Sequence, residues 1–258
     1  MTTLSQLFAA FDPAGVFEPP AEWSQGRTLY GGLTAALALQ AARTAGGAAL
    51  PPLKSAQILY AGPAAGPLRF TAQLLRRGKS ATAIGVDCLA GGDVALRAAF
   101  LFAQPRASAI AHDFTRFPDV EPPDAYERRE QARTVAAFFD NFELRPAGGS
   151  LPLSGSDHPE FMAWVRHRDA SGVDPSLSLV ALGDCLPPAA ISSLTQFAPL
   201  SSMNWNFELP RPATAGEWFL LCSSSRRAAD GYSFQTMRAW NEARELVLTG
   251  SQTVAIFA

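Results

Sequence analysis

The sequence predicts an α+β protein in which one unit, a long apolar helix wrapped by an antiparallel sheet, occurs twice in tandem. Three observations carry this reading. A helical segment with almost no polar face is followed by a run of strand candidates punctuated by glycine and proline turns. The same order recurs beyond a proline- and charge-rich stretch, PDVEPPDAYERREQAR, which reads as a surface linker. Landmarks of the two copies also align at nearly constant offsets. The turn ending at Gly66 matches the one ending at Gly216 (216 − 66 = 150), and Arg76 matches Arg226 (226 − 76 = 150). Asp93 matches Glu245 (245 − 93 = 152), and Leu37 matches Leu182 (182 − 37 = 145). The units are drawn as residues 1–104 and 134–258, joined by residues 105–133, with one helix and five or six strands in each.

The elements follow in order. Leu4, Leu7, Phe8 and Phe11 have the i, i+3, i+4, i+7 spacing of a short amphipathic helix behind a cap at Thr2 or Thr3. Phe17 to Gln25 contains two prolines and reads as an interrupted, extended edge segment. Tyr30-Gly31-Gly32 opens LTAALALQAAR, a helix closed by Gly46-Gly47 and so apolar that it must be buried. Strand candidates follow at Leu53–Ala61, Leu68–Arg77, Ala81–Ala90 and Val94–Gln104, with turns at Gly62-Pro63, Gly78-Lys79 and Gly91-Gly92. In the second unit, Phe138–Arg145 and Glu160–Arg168 are strand candidates. Asp174 then caps a helix with Pro175 in its first turn, and strands run Ser202–Leu209, Trp218–Ser225, Tyr232–Trp240 and Leu246–Phe257.

Composition narrows the function. Of 258 residues, 48% are hydrophobic and 17% charged, enough for a large core and too apolar for global disorder. The net charge of −2 and the lack of a dense basic stripe argue against nucleic acid as a partner. No apolar run reaches the ~20 residues of a membrane span, and MTTLSQLFAAFDPAG lacks the pattern of a secretory signal. Cys88, Cys185 and Cys222 lie far apart and form neither a disulfide framework nor a zinc pattern. A reducing, cytoplasmic setting is expected.

Two polar residues stand out. In DPSLSLVALGDCLPP, Leu177, Val180 and Ala181 recur at helical spacing and the next position of that stripe is Asp184. Pro187 and Pro188 end the helix, so the carboxylate sits at its negative end, where local rules disfavour it. The first unit has Leu39 there (184 − 39 = 145). In ELVLTGSQTVAIF, the phase Leu246, Leu248, Gly250, Gln252, Val254, Ile256 is apolar apart from Gln252, which therefore points inward. Its counterpart is Phe100 (252 − 100 = 152). An exposed Asp and a backbone-satisfied Gln would account for either residue alone. The paired replacement of apolar by polar groups in one copy favours a functional role.

GRTLYGGLTAALALQAA, a strand ending in a Pro-x-x-Gly-Pro-Leu turn, the linker, and a second helix with a lone Asp make an ordered set over nearly the whole chain. That set resembles the acyl-CoA thioesterase II-like family. The resemblance implies a double hotdog whose two sheets pair into one, acting on acyl-CoA without cofactor or metal. It also implies a water-activating trio of an Asp on the second helix, a Thr opening the following strand and a Gln on the last strand. Asp184 and Gln252 match the first and third; the Thr falls on Ser202, which keeps the hydroxyl. Ser201 is an equally near hydroxyl, and strand alternation places Ser202 with Asn204, Asn206 and Glu208 on a polar face. The chain would be a monomer acting as its own pseudo-dimer, or a homo-oligomer of such chains.

Thioester hydrolysis needs a positioned water, a base and donors for the oxyanion. Asp184 is the candidate base, with Gln252 and Ser202 holding the water. Tyr30, Gly31 and Gly32 at a helix start are candidate substrate contacts, though two glycines serve equally for close packing. Arg76 and Arg226, with Arg77, Lys79 and Arg227 nearby, are candidates for the CoA phosphates or ordinary solvated strand-end charges. Other chemistries lack their residues. There is no GxSxG elbow, no HExxH and no P-loop, and His112, His158 and His167 form no cluster. Gly183-Asp184-Cys185-Leu186-Pro187-Pro188 faintly resembles the motif of hotdog enoyl-CoA hydratases, but without its Asn and His. A non-catalytic acyl-CoA or lipid binder of the same fold is the remaining alternative.

Overall fold

The computed structural model describes residues 1–128, 136–214 and 216–258. The elements in chain order are α1 (Leu4–Ala10), β1 (Ser24–Gln25), β2 (Thr28–Leu29), α2 (Gly31–Gly46), β3 (Leu53–Tyr60), β4 (Leu68–Arg77), β5 (Ala81–Ala90) and β6 (Asp93–Ala103). Then come β7 (Phe142–Gly149), β8 (Glu160–His167), α3 (Pro175–Gly183), β9 (Leu200–Ser202), β10 (Asn204–Glu208), β11 (Phe219–Ala229), β12 (Tyr232–Asn241) and β13 (Leu246–Ile256).

One 11-stranded antiparallel sheet runs β4-β5-β6-β3-β10-β13-β12-β11-β8-β7, with the short β9 also on β13. The two halves join where β3 pairs with β10, in the register Trp205–Ile58, Asn206–Gln57 and Phe207–Ala56. The sheet wraps α2 and α3, and the side chains between sheet and helices form one core that spans both halves, from Leu37 and Phe102 to Leu182 and Leu248. Local chemistry sets the helix ends. Thr3 accepts from the Gln6 N–H in a capping box that starts α1. Gly47, at φ 80, closes α2. Asp174 accepts from the Ser176 N–H and Pro175 occupies the first turn of α3.

Several expectations are corrected. Phe138–Arg145 is not a strand throughout: residues Ala137–Asn141 form a 3-10 turn, and β7 starts at Phe142. The turn is set by Phe138, which stacks on Tyr30 at 4.1 Å, and by Asn141, whose amide donates to the Glu22 carbonyl at 2.9 Å. Ser202–Leu209 is two strands broken at Met203. The strand counts are unequal, four long strands in the first half against β7 to β13 in the second. Only an isolated bridge, Phe17–Leu68, stands on β4 where β8 stands on β11. The linker is more than a solvated spacer. Phe117, Val120 and Tyr126 lie on Trp164, Trp218 and Trp240 at the outer face of the second half, and the Trp164 indole donates to the Glu121 carbonyl at 2.9 Å. Those three indoles need cover, and intermittent apolar residues in a proline-rich segment supply it. Residues 129–133 of the expected linker, the expected start of the second unit at 134, and Ala215 in the repeat-defining turn lie outside the described residues.

Candidate active site

The site is made where the two core helices pack side by side. Arg43, in the last turn of α2, pairs with the α3 cap Asp174 at 2.7 Å and donates to Ser176 at 3.2 Å. At the other end the Tyr30 hydroxyl, just before α2, donates to the Ala181 carbonyl of α3 at 2.9 Å. The helices are therefore antiparallel, and the N-terminus of α2 faces the C-terminus of α3. Glycines make this approach possible. A Cβ on Gly32 would collide with the Tyr30 hydroxyl and lie 2.9 Å from the Ala181 carbonyl oxygen. One on Gly31 would lie 2.8 Å from Asp184 Oδ2.

Asp184 is the C-cap of α3, at φ −100 and ψ 6, half-buried at the floor of a cavity. The helix dipole of α3 disfavours a carboxylate here, but α2 points its positive end at the same group. The Gly32 backbone N–H faces the carboxylate. Burial still pushes its pKa up to about 7, while the Gln252 amide and the Gly32 N–H pull it back down. Tyr30, Tyr60 and Cys185 around it are all pushed up by burial and further by the carboxylate, so they are neutral near pH 7.

The sheet supplies the rest. Gln252 Nε2 on β13 donates to Asp184 Oδ1 at 2.6 Å. Gln252 Oε1 accepts from Ser202 Oγ at 3.3 Å and from Gln235 Nε2 on β12 at 2.6 Å. Gln235 Oε1 in turn accepts from the Ala189 N–H at 3.1 Å. Ser202 reaches the cluster because the chain breaks at Met203. Ser202 pairs with Val254, but Asn206 pairs with Ser251, so five residues (202–206) oppose four (251–254). That bulge resets the alternation, and the expected polar face of Asn204 and Asn206 no longer includes Ser202. Ser201 also lines the cavity but is exposed and holds none of the cluster.

The cavity, about 390 Å³, is lined by Gly31, Tyr60, Asp184, Ser202 and Gln252, with Arg27 also on its wall. That size suits a small-molecule site. The Tyr60 hydroxyl is buried without a hydrogen-bond partner. A larger concavity of about 780 Å³ lies on the outer face of the first half, lined by Gln57, Leu59, Asp87 and Arg97 among others. Its two charges satisfy each other at 2.6 Å, and none of the buried polar cluster reaches it.

The structure thus brings Asp184, Ser202, Gln252 and Gly31 together at the cavity, whereas Gly32 is buried against Tyr30 and Ala181 and does not line it. Tyr30 is placed differently from the expectation: 1% exposed and bonded to Ala181, it clamps the two helices and does not line the cavity. Arg76 and Arg226 stand exposed beside bulges of β4 and β11 and do not line it either. Strand ends alone could not say which end of the sheet faces the helix termini. Arg27, by contrast, does line the cavity. Sequence reasoning also missed Tyr60 and Gln235, although the signal that singled out Gln252 was available for Gln235, which replaces Ile84 (235 − 84 = 151).

Fold and site together define a double hotdog with a half-buried carboxylate at the junction of its helices. The acyl-CoA thioesterase N-terminal domain family matches residues 19–103 and the acyl-CoA thioesterase C-terminal domain family matches residues 117–256. The chain belongs to the acyl-CoA thioesterase family. Solved structures similar in fold include a hotdog protein of unknown function from Alicyclobacillus acidocaldarius (22% identity, TM-score 0.82, covering 94% of this chain and 92% of that one). A putative thioesterase II from Thermobifida fusca has 18% identity and a TM-score of 0.81, covering 96% and 94%. An acyl-CoA thioesterase II from Mycobacterium marinum has 21% identity and a TM-score of 0.73, covering 94% and 93%. No curated protein matches the chain in sequence. Among the described residues, no helix is long and apolar enough to cross a membrane, and no group of His, Cys, Asp and Glu could hold a metal ion.

Proposed function

We propose that the protein hydrolyses an acyl-CoA thioester to the free acid and CoA, with Asp184 as the general base. The observation that carries this reading is a carboxylate with a pKa of about 7, open to a cavity and held by one amide. A water against the carboxylate and Ser202 Oγ would attack the thioester carbonyl carbon as Asp184 takes its proton. The carbonyl oxygen becomes an oxyanion. The Tyr60 hydroxyl and the Gly31 N–H at the start of α2 are the donors available for it. Collapse breaks the C–S bond, and Asp184 returns the proton to the departing thiolate, leaving acid and thiol in balance. Arg27 on the cavity wall is the cation we assign to a CoA phosphate.

The test is thiol release from a panel of acyl-CoAs, short to long, branched and aromatic. Asp184→Asn should lower kcat by about 10²–10⁴ with unfolding unchanged or delayed. In the parent, kcat/KM should rise with pH through about 7, as the base ionises. A parent rate in Asp184→Asn would instead leave the non-catalytic acyl-CoA binder as the better reading.

A further inference from the structure

Gln235 has no contact with the cavity, yet it is a buried amide beside the site. We propose that Gln235 is a positioning residue that fixes which end of the Gln252 amide faces Asp184. This inference rests on the hydrolytic reading for its consequence in rate, but its geometry stands apart from it.

An amide side chain can turn either end toward a neighbour, so something must choose. The choice begins at Ala189. Pro188 precedes the 3-10 turn Ala189–Ser193, and a first-turn N–H has no partner inside its helix. A backbone N–H can only donate, so Gln235 must present Oε1 to Ala189. Gln235 then has only Nε2 left for Gln252, which must answer with Oε1. Gln252 is thereby left with Nε2 toward the carboxylate. Three donors run in one direction and end on Asp184. The proline pair after α3, which local rules explain only as a helix stop, delivers the N–H that starts the series.

The duplicated fold gives independent support. Gln235 and Gln252 are direct cross-strand partners, and so are Ile84 and Phe100 at the matching place in the first half. Ile84 and Phe100 are fully buried and need no polarity. The second half has replaced both members of the pair, not only the one that touches the carboxylate. A lone Gln252 on that strand would be free to turn its oxygen to Asp184.

Such a turn would set two acceptors face to face and favour the protonated acid. The other titratable groups facing Asp184 are Tyr30 before α2, Tyr60 on β3 and the adjacent Cys185, all neutral near pH 7. None of them can replace the lost donor at Oδ1 without moving.

The test uses Gln235→Met, which keeps the volume and removes both polar ends. At pH 7, kcat should fall about fivefold with KM within twofold, and the acidic limb of kcat/KM should move up by about one pH unit. The Asp184 carboxyl carbon, followed by NMR without substrate, should titrate higher by the same amount. In a Gln252→Leu background the same substitution should add nothing further. A folded Gln235→Met with the parent's limb and the parent's Asp184 titration overturns the proposal, whereas thiol release that never depends on Asp184 overturns the hydrolytic reading instead. Should Met not fold there, the parent decides. The side-chain amide signals of Gln235 should shift with the Asp184 titration, and signals that stay still through it overturn the proposal.

Discussion

The two halves of this protein share one architecture, with a hydrogen-bonded polar cluster in one copy and apolar side chains at the matching places in the other. Asp184, Gln252 and Gln235 stand where the first half has Leu39, Phe100 and Ile84. Ser202, paired with Val254 before a bulge, corresponds to Leu53, paired with Phe102 before a bulge. Tyr60, paired with Leu96, corresponds to Leu209, one residue beyond the Glu208–Thr249 pair. Every apolar counterpart is buried. The comparison separates fold from function. The fold needs apolar side chains at these positions, and burying polar ones costs stability unless each finds a partner. The second helix is altered in the same sense. α2 runs to Gly46, whereas α3 stops at Gly183, so its end opens at Asp184 where α2 continues past Leu39.

The contrast can be broken by moving the carboxylate to the apolar copy. Leu39→Asp should destabilise the protein by about 3–5 kcal/mol in urea denaturation, because Leu53, Ile84, Phe100 and Leu209 offer it no donor. The working copy should show a smaller strain that depends on pH. The Asp184 pKa of about 7 exceeds the 3.8 of an unperturbed Asp, so between those values the folded state binds the extra proton. Stability should therefore fall as pH rises from about 4 to about 7, by on the order of 3 kcal/mol, and Asp184→Asn should flatten that slope.

Two finer substitutions sharpen the picture. Gly31→Ala places a methyl group 2.8 Å from Asp184 Oδ2, which must shift. Turnover should drop about tenfold, with less than about 1 kcal/mol lost in unfolding measurements. Tyr60→Phe removes a buried hydroxyl that has no partner in the protein. Stability should hold or rise by up to about 1 kcal/mol. If the hydroxyl meets the oxyanion, thiol release should slow, and an unchanged rate would leave Gly31 as the donor.

Much of this was legible in the chain because the duplicated pattern supplies its own control. Alternation placed Gln252 inside, and the repeat set Phe100 against it. Helical spacing put Asp184 on the buried stripe, and Leu39 showed that packing did not require a carboxylate there. Ser202 was harder, since strict alternation assigned it to the polar face until the bulge at Met203 reset the phase. Gln235 was overlooked because one polar residue in a strand that also carries Ser233 and Thr236 does not stand out until its partner across the sheet is known.

The amino-acid sequence by itself determined the two-copy α+β architecture and the odd polarity of the second copy, because both depend on periodicity and on comparing like with like along one chain. It could not place the basic residues. Arg76 and Arg226 are as plausible as Arg27 until the sheet is closed and one end of it meets the helices. Nor could it explain a carboxylate at the negative end of its helix. That required α2 to run antiparallel to α3, so that a second helix brings its positive end and a glycine N–H to the same point. Charge compensation between segments about 150 residues apart is set by packing, and only the tertiary structure decides it.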